Sequence, residues 1–125
     1  MNRTIKFRGK RIDNGQWVYG FLAEDYYIND VNSVDFPSIE IASETVGQFT
    51  GLFAEDGHEI YENDLVVCDG ILCEIVYSEY IGSFVLLGVS SQCLGYEGIR
   101  KMQDMFGFSY KGNIHDNPEL LNSKK

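Results

Sequence analysis

The sequence predicts a mainly β protein with a little helix, built as a small barrel or sandwich. Three observations carry that expectation. Apolar and polar residues alternate in short runs of four to eight, the period of a half-buried strand. Turn dipeptides punctuate those runs: Asn14-Gly15, Asp56-Gly57, Asp69-Gly70 and Gly82-Ser83. The 125-residue chain is 44% apolar and 14% aromatic, enough to bury a core of one domain or two very small ones.

The first element is a hairpin. Ile5 and Phe7 alternate with Lys6 and Arg8, and Trp17, Tyr19 and Phe21 alternate with Val18, Gly20 and Leu22. Asn14-Gly15 between them predicts a tight turn with both residues at positive φ. Residues 23–43 are polar, acidic and broken by Pro37, and read mostly as a connecting loop. Tyr26 to Ile28 and Ser38 to Ile41 are candidate short strands within it. Thr45 to Leu52 reads as extended, with glycine interruptions. After Asp56-Gly57 come Glu59 to Tyr61, then Leu65 to Cys68. Asp69-Gly70 turns the chain into Ile71 to Tyr77, which pairs Cys68 with Ile71 and Val66 with Cys73. Phe84 to Leu87 is the next strand. Between Gly95 and Gly107, the spacing of Ile99, Met102 and Phe106 fits a short helix. Phe108 to Ile114 reads as a last strand, and Asn117-Pro118 opens one helical turn with Asn117 as its cap. The chain beyond Asn122 is expected to fray.

Charge is distributed unevenly. The net charge is −9, and five of the ten cations lie in the first eleven residues: Arg3, Lys6, Arg8, Lys10 and Arg11. From Ile12 to Ile99 there is no Lys or Arg, while that stretch holds 16 carboxylates. Such a balance bears on solubility and partner choice. It argues against tight nucleic-acid binding, which needs clustered cations. The one aromatic and basic combination suited to single strands is Trp17 and Tyr19 beside Arg8, Lys10 and Arg11. An acidic surface that mimics nucleic acid and occupies a basic protein is a further expectation, as is a homo-oligomer in which the basic strand meets a neighbour's acidic face.

Recognisable chemistry is sparse. The longest apolar run, Phe84 to Val89, is six residues, short of a membrane span, and the first residues lack a signal-peptide pattern. Three cysteines without an export signal suggest reduced thiols and a cytoplasmic location. Cys68, Cys73, Cys93, His58 and His115 show no metal-ligand spacing, so no metal is expected. No phosphate loop, dinucleotide fingerprint or nucleophile elbow is present, and no cofactor is expected. The carboxylates Glu55, Asp56, Glu59, Glu62 and Asp64 read as a solvated acidic face, with turn and strand-entry roles for Asp56 and Asp64. No catalytic residue is assigned, and the expectation is a protein that is not an enzyme.

Three segments together resemble the YopX family, small proteins of phages and prophages of Gram-positive bacteria. They are Ile5 to Lys10 with Trp17 to Gly20, Thr45 to Leu52 continuing through Asp56-Gly57 to Val66, and Gly112 to Leu121. Asn63 stands where the family usually has glycine, and Phe53-Ala54-Glu55 is less rich in lysine than is common. Asn tolerates positive φ, so the turn survives. The resemblance implies a C-terminal SH3-like barrel from about Thr45 after a smaller N-terminal β region, hence domains 1–44 and 45–125. It brings no established activity, cofactor or catalytic residue. The resulting expectation is a cytoplasmic phage accessory protein that binds a host or phage protein. Its candidate surface is Arg8, Lys10, Arg11, Trp17, Tyr19, Tyr61, Glu62 and Asp64.

Overall fold

The computed structural model describes residues 5–24, 26–35, 37–89 and 98–122. The expectations for Cys93, for Gly95 to Glu97 and for the frayed end at 123–125 lie outside the described residues. Among the described residues ten strands form two antiparallel sheets, accompanied by one α-helix, so the chain is mainly β with minor α. It divides into two compact units, Met1–Gly51 and Leu52–Lys125.

In the first unit the sheet order is β4-β3-β2-β1-β5. These strands are β1 (Phe7–Lys10), β2 (Trp17–Ala23), β3 (Tyr27–Asp30), β4 (Ser38–Glu40) and β5 (Gly47–Phe53), the last running on into the second unit. Ladder partners share a face of a sheet. Phe7 pairs with Gly20 and Gly9 with Val18, which places them on the core side. That core is Val18, Ile28 and Ile41, with Phe7, Leu22, Ile39 and Val46 packed on it. Arg8 pairs with Tyr19 and Lys10 with Trp17 on the opposite face.

One expectation is corrected here. The β1–β2 connection is not a two-residue turn. Arg11 N–H donates to Gln16 C=O at 2.8 Å and Gly15 N–H to Arg11 C=O at 2.9 Å, and Gly15 but not Asn14 has positive φ. The extra residues are accommodated by Asn14 Oδ1, which accepts the Gln16 N–H at 2.9 Å. Within residues 23–43 both candidate short strands form, as β3 and β4, with the remaining described residues connecting them. β3 and β4 pair in full register, and Ile28 and Ile41 are fully buried. Their burial outweighs the polar composition around them.

In the second unit, β5 ends beside β6 (Glu59–Tyr61). A second sheet follows in the order β10-β7-β8-β9. Its strands are β7 (Asp64–Cys68), β8 (Ile71–Ser78), β9 (Ser83–Gly88) and β10 (Ser109–Asn113), and α1 is Ile99–Phe106. Asp69 and Gly70 both have positive φ, 54° and 79°, the geometry that lets two strands return on themselves through two residues. The register is therefore the one the sequence predicts, Cys68 with Ile71 and Val66 with Cys73. α1 buries Ile99 and Met102 against a core that includes Ile60, Val66, Ile75, Leu86 and Phe108.

The barrel expectation is corrected to open sheets. Among the described residues no ladder joins β9 to β10, the two edges of the second sheet. In the first unit the chain after β4 does curl back to β1, but through a single bridge between Arg11 and Ile41. A closed barrel needs a full ladder at that seam.

Candidate functional site

The cationic and aromatic residues of the hairpin lie together on the non-core face of the first unit's sheet. The Arg8 Cζ atom is 4.5 Å from the Trp17 ring centre and Lys10 Nζ is 5.3 Å from it, so the indole ring takes two cations. Lys6 Nζ is 5.5 Å from the Phe49 ring centre. Trp17, Tyr19 and Lys10 are half-buried, whereas Arg8 is 4% exposed. A strand of nucleic acid in solvent therefore does not reach the Arg8 guanidinium. Arg11 stands apart from this ladder. Its Nε and Nη2 donate to the two Asp13 oxygens, each at 2.9 Å, and this bidentate hydrogen bonding holds the Asp13 carboxyl below its usual range.

Tyr61 ends β6, Asp64 opens β7, and Glu62 lies with Asn63 in the turn between them. Asp64 is fully buried, and its Oδ2 accepts the Tyr61 N–H at 2.6 Å. Asn63 sits at φ 75°, the conformation its side chain tolerates. Its Nδ2 donates to Glu74 Oε2 at 2.9 Å, its N–H donates to Ile75 C=O at 2.8 Å, and its C=O accepts the Ile114 N–H at 3.1 Å. Asn113 pairs with Asp64 across β7 and β10. Its Oδ1 accepts the N–H of His115 at 2.9 Å and of Asp116 at 2.8 Å, while Asn117 Oδ1 turns back to accept the Asn113 N–H at 3.2 Å. Two motifs far apart in sequence, Tyr61 to Asp64 and Asn113 to Asn117, thus meet as one network of turns around buried Asp64 and Asn113.

The acidic stretch Glu55 to Asp64 does not converge. Asp56 engages His58, whose backbone N–H and ring hold its carboxyl below the usual range. The His58 ring stacks on Tyr110 with centroids 4.2 Å apart. Tyr61 Oη donates to Glu59 Oε1 at 2.8 Å. Among the described residues no group of three or more His, Cys, Asp or Glu could hold a metal ion. Cys68 and Cys73 are buried in the second unit's core.

One feature of the second unit had no place among the expected surface residues. The β8–β9 connection presents Tyr80, fully exposed, and Ile81, 44% exposed. Behind them Tyr77 and Phe84 pack edge to face, centroids 5.3 Å apart. Large apolar residues inside a turn are the sequence signal, since turns favour Gly, Asn, Asp, Ser and Pro.

What these units define is a class of small two-sheet β proteins whose polar motifs serve turns and whose exposed apolar groups are spread over several elements, the β8–β9 hairpin among them. The chain belongs to the YopX family: the family model described as YopX protein matches residues 6–122. The fold is similar to the crystal structure of protein EF1440 from Enterococcus faecalis, at 25% identity and a TM-score of 0.60, over 96% of this chain and 99% of that one. Comparison with curated proteins gave no match. No helix among the described residues is long and apolar enough to cross a membrane.

Proposed function

We propose that this protein is a non-enzymatic interaction module, a phage or prophage accessory protein that acts in the bacterial cytoplasm by binding another protein. The observation that carries this reading is the use to which its polar motifs are put. Tyr61, Asn63, Asp64, Asn113 and Asn117 are engaged in turn hydrogen bonds, and they are the residues around which a reaction centre would otherwise be sought. Large apolar side chains meanwhile stay exposed, among them Val34, Tyr80 and Met105. Exposed aromatic and aliphatic groups on an ordered scaffold are what protein contacts use. Nucleic-acid engagement through the hairpin is less well supported, because Arg8 is buried and Arg11 is bound to Asp13.

The test is a tagged pull-down of the full chain from a Gram-positive lysate treated with nuclease, washed at low and high salt. A stoichiometric protein partner is the expected result. Recovery of nucleic acid without nuclease and of no protein with it would replace this reading with the hairpin's aromatic and basic face.

A further inference from the structure

We propose that Asn14 is a self-modification site: the Gly15 backbone nitrogen converts its side chain to aspartate and isoaspartate, at a rate set by opening of the loop between β1 and β2. The chemistry needs no partner and is independent of the interaction reading above.

The reaction needs an asparagine whose following nitrogen is unshielded. Asn14-Gly15 is the one Asn-Gly pair in the chain, and both residues are exposed. Glycine has no Cβ to crowd its own nitrogen. Every other asparagine precedes a residue with a side chain, and Asn117 precedes proline, which has no N–H. Asp56-Gly57 and Asp69-Gly70 offer the same nitrogen, but a carboxylate in place of the amide is a far worse electrophile at neutral pH.

The Gly15 nitrogen gives its proton to hydroxide and bonds to Asn14 Cγ. The Cγ–Nδ2 bond breaks, and ammonia leaves with a proton from water, which restores the hydroxide. Water then opens the five-membered imide. Addition at Cγ returns the ordinary backbone as aspartate. Addition at the main-chain carbonyl carbon of residue 14 leaves isoaspartate, with one extra methylene in the main chain. The net change is one water in and one ammonia out, with no oxidation or reduction.

The loop both prepares and restrains this step. Gln16 N–H donates at 2.9 Å to Asn14 Oδ1, the oxygen on which negative charge builds as the nitrogen adds. Gly15 N–H itself donates to Arg11 C=O at 2.9 Å, so the nucleophile is released only when that bond opens. The loop ends are held by Arg11 N–H on Gln16 C=O and by the bidentate pair of Arg11 with Asp13. Local opening of an exposed turn lies at the low end of the stability range. The two products differ in what they leave behind. Aspartate keeps an oxygen for the Gln16 N–H. Isoaspartate lengthens the loop and breaks its closing bonds beside the Lys10–Trp17 rung. Trp17, the single tryptophan, then loses its fixed place against Arg8 and Lys10.

The experiment ages the full chain at mildly alkaline pH, folded and in urea, and maps its peptides by mass spectrometry with an isoaspartate assay. Conversion at Asn14 should outpace that at every other asparagine, rise with pH, and run roughly tenfold slower in the folded chain than in urea. Arg11→Ala, with a cooperative melt confirming its fold, should speed the folded rate several-fold and leave the urea rate unchanged. The separated isoaspartate form should show red-shifted tryptophan emission, while Asn14→Asp matches the parent. Conversion centred on another asparagine, or none at Asn14 in the folded chain, would overturn the site. Equal rates folded and in urea, or an Arg11→Ala rate equal to the parent's, would overturn control by the loop. Parent-like emission from the isoaspartate form would overturn its effect on the hairpin.

Discussion

Cys68 and Cys73 illustrate how burial sets chemistry at a single residue. Both are fully buried on the core face of adjoining strands. Burial raises both thiols above their ordinary value, with a neighbouring negative charge adding to it, and Cys73 is pushed up to about 12. The thiolate is the reactive form, so these groups are poor nucleophiles at neutral pH. In a Cys93→Ser background, neither should react with a disulfide reagent until the protein is denatured. The sign of the pH dependence follows. Above about pH 9, where an unperturbed thiol ionises, the unfolded chain loses a proton that folded Cys73 keeps up to about 12. The unfolded state then binds fewer protons, and stability falls as pH rises through that window. Urea midpoints at pH 8 and 10.5 should show a smaller drop when Cys73→Ala is added. An equal drop would mean that the thiol is not responsible. Spacing predicted these two cysteines to be offset across the strands, and the Asp69-Gly70 turn makes them so.

At the scale of elements, the turns do most of the specifying. The β7–β8 register was legible because a two-residue turn with both φ positive admits one pairing. β3 and β4 were less legible, since each contributes a single apolar residue to the core, and Ile41 is held by a contact thirty residues away in sequence. The role of Asn113 was legible only as a motif, because its partners arrive through the β7–β10 ladder and a local turn together. Asn113 is 3% exposed and accepts two backbone N–H groups. Asn113→Ala strips both of their acceptor and should cost about 2–3 kcal/mol. That corresponds to a fall of roughly 5–10 °C in Tm. A thermal melt matching the parent would show that the turn closes without this side chain. Gly20→Ala should be at least as harmful, since a Cβ there would lie 1.9 Å from the Asn29 carbonyl oxygen, a backbone atom fixed by the β2–β3 ladder.

At the scale of the whole molecule, charge governs how copies meet. A net charge of −9 sets a repulsion between copies at neutral pH against the attraction that exposed Val34, Tyr80 and Met105 offer. The excess of carboxylates was plain in the sequence, but the placement of the apolar groups was not. The sequence reading ends one strand at Tyr77 and starts the next at Phe84, and Tyr80 and Ile81 have no assigned place until the ladder is seen to close at Ser78 and Ser83. Near the sequence isoelectric point of about 4.5 the mutual repulsion vanishes while those apolar groups remain. Light scattering should therefore rise as pH is lowered from 7 toward 4.5 and reverse when pH is restored, with the β-sheet circular dichroism unchanged. Tyr80→Ser with Ile81→Ser should blunt the rise, because it removes apolar contact without altering charge. Monodisperse parent chains at the isoelectric point would show that repulsion is not what keeps them separate. A rise identical in the variant would place the adhesive surface away from the β8–β9 tip.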